Sequence, residues 1–296
     1  MRKVILFYNT MWGGPLDVPA AIPEPYTLTT DRNAVDDAVA IVFHVPTLPA
    51  GTFPNGPIKR KGQLWVAWCM ECEAHYPQMQ DRGFMDRFDL KMTHRLDSDI
   101  AVPYLEYDCP ELLRMSPSDK DDGKLVNAFV SSHLNKSRRI EYILQLMMHI
   151  DVHSYGKLFR NRSLDGDNGR WSRLETMKRY KFTLAFENAI AMDYVTEKFY
   201  DPLIAGSVPI YLGAPNIDDF APGDHCFINA ADWKSPEALA RYLLELAGDK
   251  SLYAEFFDWK EKPFRPRFSE LIELVKEPAF VRLCKKVDAQ IQQALQ

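Results

Sequence analysis

The sequence predicts an α/β protein built on parallel β-sheets, and three observations lead to this class. Strand-like and helix-like segments alternate through the second half of the chain, which implies parallel strands joined by helical crossovers. The unit of strand, helix and strand occurs twice there. The chain of 296 residues, 46% apolar and 26% charged, has the composition of a globular protein with room for two domains. The predicted strands are 124–131, 150–155, 182–186 and 208–212, and the predicted helices are 137–149 and 194–205.

The first half of the chain carries further strand-like runs. Residues 2–8 and 38–45 are apolar and rich in β-branched side chains, and residues 64–69 read LWVAWC. Residues 97–107 mix Asp, Pro and Tyr, which indicates a loop with a short strand. We therefore expect a first sheet before residue 120.

A polar segment rich in turn-forming residues separates the two halves. Residues 115–123 read MSPSDKDDG, which is typical of a linker. This segment predicts a first domain over residues 1–120 and a second over 121–262, followed by a helical tail over 263–296. Apolar side chains at spacings of four and three form one stripe in that tail, and such stripes usually pack on the protein's own core. They are Phe280, Cys284, Val287, Ile291 and Leu295.

Composition and charge exclude several functions and locations. A net charge of −5 gives no general affinity for polyanions, so we expect no nucleic-acid partner. No apolar run is long enough and free enough of Pro and Gly to span a bilayer. The first ten residues, MRKVILFYNT, lack the features of a secretory signal. These observations predict a cytoplasmic protein without a transmembrane segment, and leave open peripheral contact with the inner face of the membrane.

The five cysteines favour reduced thiols over disulfides, because their number is odd and they are spread along a long chain. Cys69, Cys72 and His75 have a spacing that could begin a zinc site, but no second pair follows to complete four ligands. Two D-x-D strings, at 97–99 and 165–167, are more typical of turns than of metal sites. We therefore expect no metal and no required cofactor.

One candidate anion site follows the predicted strand 124–131. In open parallel sheets, ligands bind beyond the carboxyl ends of the strands. Arg138 and Arg139 lie there, in the first turn of the predicted helix. The helix dipole disfavours a cation at that end, so the pair suits an anion clamp. A solvated surface pair is the alternative that the pattern leaves open.

A second candidate site follows strand 182–186 with Glu187 and Asn188. Asp193 is the predicted N-cap of the next helix. Tyr194, Glu197 and Lys198 have the spacing i, i+3 and i+4 and would share one face of its first turn. An aromatic plane, a carboxylate for ribose hydroxyls and an ammonium for phosphate suit a nucleoside diphosphate. An ordinary ladder of surface side chains is the alternative.

Missing motifs narrow the function further. The chain has no G-x-G-x-x-G, no G-x-x-x-x-G-K-[ST], no H-E-x-x-H and no G-x-S-x-G. The chain therefore lacks the signatures of four enzyme classes, namely dinucleotide oxidoreductases, P-loop NTPases, zincins and α/β-hydrolases. A nucleotide-sugar site of another design remains.

Four blocks of sequence carry a family resemblance. The run KFTLAFENAIAMDYVTEKFYDPLIAGSVPIYLGAPN resembles the signature of the α-1,3/4-fucosyltransferases, glycosyltransferase family 10. The family implies a GT-B architecture, in which two Rossmann-like domains face each other. It assigns the acceptor to the first domain and GDP-fucose to the second. The blocks are residues 181–216, 30–44, 93–104 and 130–156.

The resemblance also implies roles for single residues. Arg139 matches the arginine on the donor diphosphate, and the remaining donor-binding residues are Asn188, Tyr194, Glu197 and Lys198. The segment 68–77 resembles the stretch that holds the family's general base, which would be Glu71. Relatives have Ser-Pro where this chain has Cys72-Glu73, so Glu73 competes for that role. His75, four residues after Glu71, and His44, at the end of a strand, are the acceptor-side candidates.

The resemblance implies an inverting reaction. L-fucose would pass from GDP-β-L-fucose to a hydroxyl of GlcNAc or glucose in an acceptor such as N-acetyllactosamine, giving an α-1,3 or α-1,4 linkage. The acceptor would be an oligosaccharide or a lipid-linked glycan, such as a precursor of a Lewis antigen or lipopolysaccharide, and the source bacterial. A GT-B enzyme using another sugar nucleotide and a silent glycan-binding relative are the alternatives, and the oligomeric state stays open.

Overall fold

The computed structural model describes residues 2–49, 52–106, 108–164 and 166–294, which form two compact units. The first unit runs to Pro103 and resumes at Val275, and the second comprises Tyr104–Leu274. The sequence instead placed the boundary at residue 120 and treated 263–296 as a separate tail. The polar segment 115–123 lies inside the second unit, because the short helix before it already packs there.

The first unit contains a six-stranded sheet in which every pairing is parallel. The strand order is β2-β1-β3-β4-β5-β6. The strands predicted at 2–8, 38–45 and 64–69 are confirmed as β1, β3 and β4. The elements are β1 (Lys3–Phe7), β2 (Tyr26–Thr29), β3 (Ala38–His44), β4 (Leu64–Cys69), β5 (Leu90–Thr93) and β6 (Ile100–Ala101), with the short helices α1 (Thr52–Asn55) and α2 (Arg82–Met85).

The second unit contains a five-stranded sheet, again wholly parallel, in the order β11-β10-β9-β7-β8. The strands predicted at 182–186 and 208–212 agree with β9 and β10 to the residue. The strands are β7 (Val126–Ala128), β8 (Val152–Ser154), β9 (Phe182–Phe186), β10 (Val208–Leu212) and β11 (Ile228–Asn229), and the helices are α3 (Cys109–Leu113), α4 (Arg139–Leu146), α5 (Arg170–Met177), α6 (Glu197–Ala205), α7 (Pro236–Gly248) and α8 (Lys250–Glu255).

Burial explains why the strands of the second unit are so clear in the sequence. All five residues of β9 (FTLAF) and of β10 (VPIYL) are buried. Parallel strands covered on both faces have continuous apolar runs rather than alternating ones. The order of strands sets β9, β7 and β8 side by side, so the loops that follow them meet at one edge of the sheet.

Helix α6 begins three residues later than predicted, at Glu197. Asp193 adopts a left-handed conformation with φ 62° and is not the N-cap. The cap is Thr196, whose hydroxyl oxygen accepts the backbone N–H of Lys198 at 3.4 Å. Tyr194 therefore lies in the preceding loop rather than on the first turn.

The chain ends with α9 (Pro266–Lys276) and α10 (Ala279–Ala294). The stripe on α10 packs on the first unit, as predicted: Cys284 and Val287 are fully buried. The ring of Phe280 packs against Phe7 and Trp68, with centroids 5.0 and 6.0 Å apart. Leu295, also assigned to the stripe, lies outside the described residues.

Two negative findings concern the described ranges. None of the helices there combines the length and apolar character of a transmembrane segment. Within the same ranges, no three His, Cys, Asp or Glu side chains are grouped so that they could hold a metal ion. Asp165, part of one D-x-D string, is not among the described residues. All five cysteines are buried free thiols.

Candidate active site

The second unit holds a cavity of about 460 Å³ at the carboxyl ends of β7, β8 and β9. This is the edge at which parallel sheets of this kind bind ligands. Four of the five predicted donor-site residues line it, and the fifth, Tyr194, does not. The four are Arg139, Asn188, Glu197 and Lys198.

Arg139 is the first residue of α4 and is almost fully buried. Its Nη1 donates to the carbonyl oxygen of Phe186 and its Nη2 to that of Ser132, both at 3.0 Å. Its Nε has no hydrogen-bond partner among the described residues. Burial lowers the pKa of this guanidinium, and the nearby Glu187 carboxylate opposes that shift. Arginine stays charged in proteins, so the cavity contains a fixed cation that is not a surface residue.

Two backbone contacts hold the start of α4 against the end of β9. The hydroxyl of Ser137 donates to the carbonyl oxygen of Glu187 at 2.6 Å, and the Ser137 N–H donates to that of Asn188 at 3.1 Å. With the Arg139 bond to Phe186, the last residue of β9, three consecutive carbonyls at the end of this strand are used by one helix N-terminus. The position of Arg139 is therefore fixed by the backbone of the neighbouring strand.

The first turn of α6 is organised around Glu187, whose side chain is fully buried. One carboxylate oxygen accepts the Thr196 N–H at 2.7 Å and lies 2.9 Å from the Thr196 hydroxyl. Lys198 Nζ lies 3.5 Å from the other oxygen and donates to Thr196 Oγ1 at 2.9 Å. Glu187 thus positions both Thr196, the N-cap of this helix, and Lys198 in its first turn.

Charges of both signs surround Lys198. Its ammonium lies 3.1 Å from Glu197 Oε1 as well as close to Glu187. Burial opposes protonation of Lys198, but these two carboxylates outweigh it and raise its pKa. Burial raises the pKa of Glu187, and Lys198 opposes that rise. For Glu197, burial also favours the neutral form, but Lys198 prevails and the pKa is lowered.

Asn188 and Tyr194 occupy different surroundings. Asn188 lines the cavity, and its buried Oδ1 has no hydrogen-bond partner among the described residues. A buried amide oxygen of this kind is ready to accept a hydrogen bond from a ligand. Tyr194 is buried beside Tyr104, with ring centroids 6.2 Å apart. Tyr194 therefore lies outside the first turn that holds Glu197 and Lys198, although its phenol is close enough to Arg139 to influence the pKa of that guanidinium.

The first unit brings the remaining predicted residues to the carboxyl edge of its own sheet. Glu71 is the second residue after β4, and its carbonyl oxygen is 3.3 Å from Cys69 Sγ. Glu73 begins a short 3-10 turn that ends at His75, and its carboxylate lies 3.7 Å from Nε2 of the buried His94. The Glu73 side chain thus faces the end of β5.

His44 ends β3 and is fully buried. Its Nδ1 is 2.7 Å from Thr47 Oγ1, and the hydroxyl of Thr47 donates to the carbonyl oxygen of Thr10 at 3.0 Å. The one hydroxyl hydrogen is used there, so His44 Nδ1 must be the donor. Nε2 then has a lone pair, and no partner for it is found in the described part of the chain. Burial lowers the pKa of His44 to about 4, so the ring is neutral near pH 7.

His75 is half-buried, and its Nε2 likewise has no hydrogen-bond partner among the residues described. His44 and His75 therefore each present a ring nitrogen at the same edge of the first sheet. Imidazole nitrogens of this kind can exchange hydrogen bonds with hydroxyl groups.

Sequence reasoning missed three residues that position the side chains lining this cavity. Glu187 and Thr196 were not assigned a role, and Ser137 was not considered. Their function arises from contacts between loops that are distant in the chain, which spacing does not show. A signal did exist for Thr196, because a threonine immediately before Glu-Lys is a good N-cap residue.

Fold and cavity together define a class of protein: an α/β protein whose second parallel sheet holds a cavity lined by Arg139 and Lys198 at its carboxyl edge. Residues 1–105 match the sequence model of the fucosyltransferase N-terminal region. Residues 119–295 match that of the glycosyltransferase family 10 (fucosyltransferase) C-terminal region. The chain therefore belongs to glycosyltransferase family 10 and is a fucosyltransferase.

Individual relatives agree with this assignment. Over 295 residues the chain is 35% identical to a 4-galactosyl-N-acetylglucosaminide 3-alpha-L-fucosyltransferase of Gorilla gorilla gorilla, which covers 94% of this chain and 77% of that protein. The enzyme of the same name from Homo sapiens is 34% identical over the same length and coverage.

Solved structures share the fold. The crystal structure of an alpha1,3-fucosyltransferase with GDP superimposes with a TM-score of 0.62 at 16% identity, covering 89% of this chain and 81% of that one. The structure with GDP-fucose gives 0.58 at 16% identity, covering 87% and 81%. The predicted α/β class with two parallel sheets, similar to GT-B fucosyltransferases, is confirmed.

Proposed function

We propose that the protein transfers L-fucose from GDP-β-L-fucose to a GlcNAc or glucose hydroxyl of an oligosaccharide, forming an α-1,3 or α-1,4 linkage with inversion. The observation that carries this proposal is the pair of cations, Arg139 and Lys198, at the starts of α4 and α6 in one cavity. Helix N-termini and fixed cations suit a diphosphate. The named relatives are 3-alpha-L-fucosyltransferases, which favours fucose as the sugar.

Arg139 and Lys198 would neutralise the negative charge that develops on the GDP leaving group. Arg and Lys side chains have this role in other enzymes in which charge develops on phosphate groups. Glu197 would accept hydrogen bonds from ribose hydroxyls, and Asn188 would use its unpartnered Oδ1 on the sugar or ribose. Tyr194 stays assigned to this site by family resemblance, acting from the loop before α6.

Glu71 would act as general base on the acceptor hydroxyl. Inversion needs one in-line displacement through an oxocarbenium-like transition state, and one carboxylate to take the proton. Glu73 is the competing candidate for the general base, and its carboxylate lies 3.7 Å from Nε2 of His94. His44 and His75 would bind acceptor hydroxyls through their ring nitrogens. The acceptor is a free or lipid-linked oligosaccharide such as N-acetyllactosamine.

No divalent metal is required in this proposal, because Arg139 and Lys198 supply the positive charge. We expect turnover in excess EDTA to stay within about twofold of the untreated enzyme, since the clamp is made of side chains. The measurement is GDP release with and without EDTA. A complete loss of turnover that Mn²⁺ restores would show that a metal takes part.

The cellular location is proposed to be the cytoplasm. Five buried free thiols are the form expected in a reducing compartment. Peripheral contact with the inner face of the membrane is compatible with a lipid-linked acceptor. The two relatives described above are from primates, so the bacterial origin expected from the sequence stays a prediction.

One experiment tests the transfer reaction directly. Purified protein is mixed with N-acetyllactosamine and GDP-fucose, GDP-mannose or a UDP-sugar, and nucleotide release and product linkage are measured. We expect release and an α-fucosylated product with GDP-fucose alone. Preference for another donor would favour a different sugar nucleotide, and binding without release would indicate a catalytically silent protein.

A further inference from the structure

A cavity of about 400 Å³, here called the α5 cavity, lies along α5 in the second unit. Its lining combines one indole ring with several polar side chains. Residues three or four positions apart on a helix are neighbours on its surface, and four of the lining side chains have such spacings. They are Trp171, Ser172, Glu175 and Thr176. The α5 cavity is therefore formed along one face of the helix.

Trp171 is exposed to an unusual degree for its residue type. It is 67% exposed, whereas tryptophan is highly buried on average. The helix packs on the protein through Leu174 and Met177, which are both buried. Arg170, the residue before Trp171, is fixed because its Nε donates to Asp201 Oδ1 at 2.8 Å. The helix is thus held by other side chains, and the indole of Trp171 is left at the wall of the α5 cavity.

Two hydroxyl groups of the α5 cavity have opposite hydrogen-bonding capacity to spare. Ser172 Oγ accepts the backbone N–H of Asn168 at 2.7 Å, which leaves its hydrogen for a ligand. The hydroxyl of Thr176 donates to the carbonyl oxygen of Ser172 at 2.8 Å, which leaves its oxygen to accept. Glu175 adds a carboxylate, and its contact with Lys178 at 3.3 Å is an exposed ion pair of little strength.

A sugar ring matches this combination of groups. One face of a pyranose presents C–H groups, and the negative face of an aromatic ring attracts such hydrogens. The hydroxyls around its edge both donate and accept, as Ser172, Thr176 and Glu175 require. A purely apolar ligand would leave these groups without partners. Arg179 also lines the α5 cavity, but its guanidinium is bound to Asp121, which disfavours an anionic ligand.

The α5 cavity adjoins the cavity that contains Arg139 and Lys198. Leu164 lines both cavities, and Arg173, on the same helix as Trp171, lines the one with the cations. The helix between them has eight residues and is about 12 Å long. A chain of a few sugars spans such a distance.

We propose that the α5 cavity binds a sugar of the acceptor glycan remote from the reacting hydroxyl, with Trp171 stacked on the sugar ring. This inference rests on the proposed function, because it extends the acceptor of the same reaction. It gives the second unit a part in the choice of acceptor. Long glycans bind through two contacts, and joining both in one molecule raises the affinity, whereas short acceptors use the reaction site alone.

Kinetics with a short and a long acceptor test this site. Fucose transfer by the full chain is measured with N-acetyllactosamine and with a longer oligomer of the same disaccharide, for wild type and Trp171→Ala. We expect Trp171→Ala to raise the KM for the oligomer about three- to tenfold, the usual effect of losing one aromatic contact, with kcat unchanged. The KM values for N-acetyllactosamine and for GDP-fucose should stay those of the wild type.

Two further variants control for effects other than loss of the stacking ring. Trp171→Phe keeps an aromatic ring and should recover most of the affinity for the oligomer. Leu252→Ala also removes an exposed apolar side chain of the second unit, but this residue lies on α8 and does not line the α5 cavity. It should match the wild type with both acceptors. Calorimetry with the oligomer, without GDP-fucose, should show weaker binding to Trp171→Ala than to the wild type.

The outcomes separate the sugar site from the transfer reaction. An unchanged KM for the oligomer in Trp171→Ala, with transfer by the wild type intact, would overturn the sugar site while the proposed function stands. An equal rise in KM for both acceptors would also overturn it, because the change would then act at the reaction site. If the wild type transfers no fucose, the proposed function fails and calorimetry decides. Oligomer binding that Trp171→Ala weakens would still support the sugar site, and binding that is absent or unchanged would overturn it.

Discussion

Glu71 and Glu73 are two residues apart in the loop after β4, and both are candidates for the general base. The Glu73 carboxylate lies 3.7 Å from Nε2 of His94, and the family resemblance assigns the role of base to Glu71, the second residue after β4. We expect Glu71→Gln to lower kcat by about 10²–10⁴-fold, the usual worth of a general base, with little change in the KM for GDP-fucose. Steady-state kinetics against both substrates provide the measurement.

Glu73→Gln is the matched control for this prediction. It removes the same charge from a neighbouring position and should keep turnover close to that of the wild type. The reverse pattern, with Glu73→Gln inactive and Glu71→Gln active, would transfer the role of general base to Glu73.

His44 predicts a pH dependence of stability. Burial lowers the pKa of its ring from the ordinary value of 6.5 to about 4. Between these values the unfolded chain binds a proton that the folded protein does not, so the stability that is present above pH 6.5 is lost as pH falls toward 4. The shift corresponds to about 3 kcal/mol.

Denaturant unfolding between pH 4 and 7 checks this. As the pH falls, the free energy of unfolding should decrease more steeply for the wild type than for His44→Gln. The difference between the two slopes should correspond to about one proton per molecule. Parallel curves for the two proteins would mean that His44 titrates alike in the folded and unfolded states.

The N-cap of helix α6 is tied to two charged side chains. The Thr196 hydroxyl contacts the Glu187 carboxylate and accepts from Lys198 Nζ. Thr196→Val should lower the free energy of unfolding by about 1–2 kcal/mol and raise the KM for GDP-fucose, because Lys198 loses a partner that positions it.

Thr196→Ser keeps the hydroxyl and should restore both quantities. Thermal unfolding and donor titrations of the three proteins provide the comparison. A Thr196→Val protein with normal donor KM would show that the cap stabilises the helix without positioning the lysine.

Elements could be predicted from the sequence where a continuous run of apolar residues indicates that they are buried. β4, β9 and β10 are continuous apolar runs, and their predicted bounds agree with the structure. The start of α6 was predicted three residues too early, because Asp193 was taken as the N-cap and its contacts with Asn216, distant in the chain, are not visible in the local sequence. Its side chain accepts from Asn216 Nδ2, and its N–H donates to Asn216 Oδ1.

The residues of the candidate site also fall into two groups: those that the sequence indicated and those that it did not. Arg139 was singled out because the helix dipole disfavours a cation at a helix start, Lys198 by its spacing from Tyr194 and Glu197, and the family resemblance named both. Glu187 was missed because its effect depends on Thr196, nine residues later, and on its full burial. A buried carboxylate has no local pattern that distinguishes it from an exposed one.

The whole molecule consists of two units with separate cores, which predicts that stability and donor binding can be changed independently. Phe280 on α10 packs with Phe7 and Trp68 in the first unit. Phe280→Ala should lower the free energy of unfolding by about 2–3 kcal/mol, because it removes a half-buried ring. GDP affinity should not change, since the residues assigned to it lie in the second unit.

Thermal unfolding and GDP calorimetry on the same samples measure both effects. Met148→Ala, which removes an exposed side chain of the second unit, is the control and should change neither. Weakened GDP binding in Phe280→Ala without a change in stability would contradict the independence of the two units.

The return of α10 to the first sheet affects how the chain is made. The first 103 residues need the segment from Val275 onward to complete their core, whereas the second unit is continuous in sequence. On the ribosome, domains fold as units while synthesis proceeds at about 5–20 residues per second. The unit translated in the middle can therefore finish folding first, and the one that begins the chain must wait for the last helix to emerge.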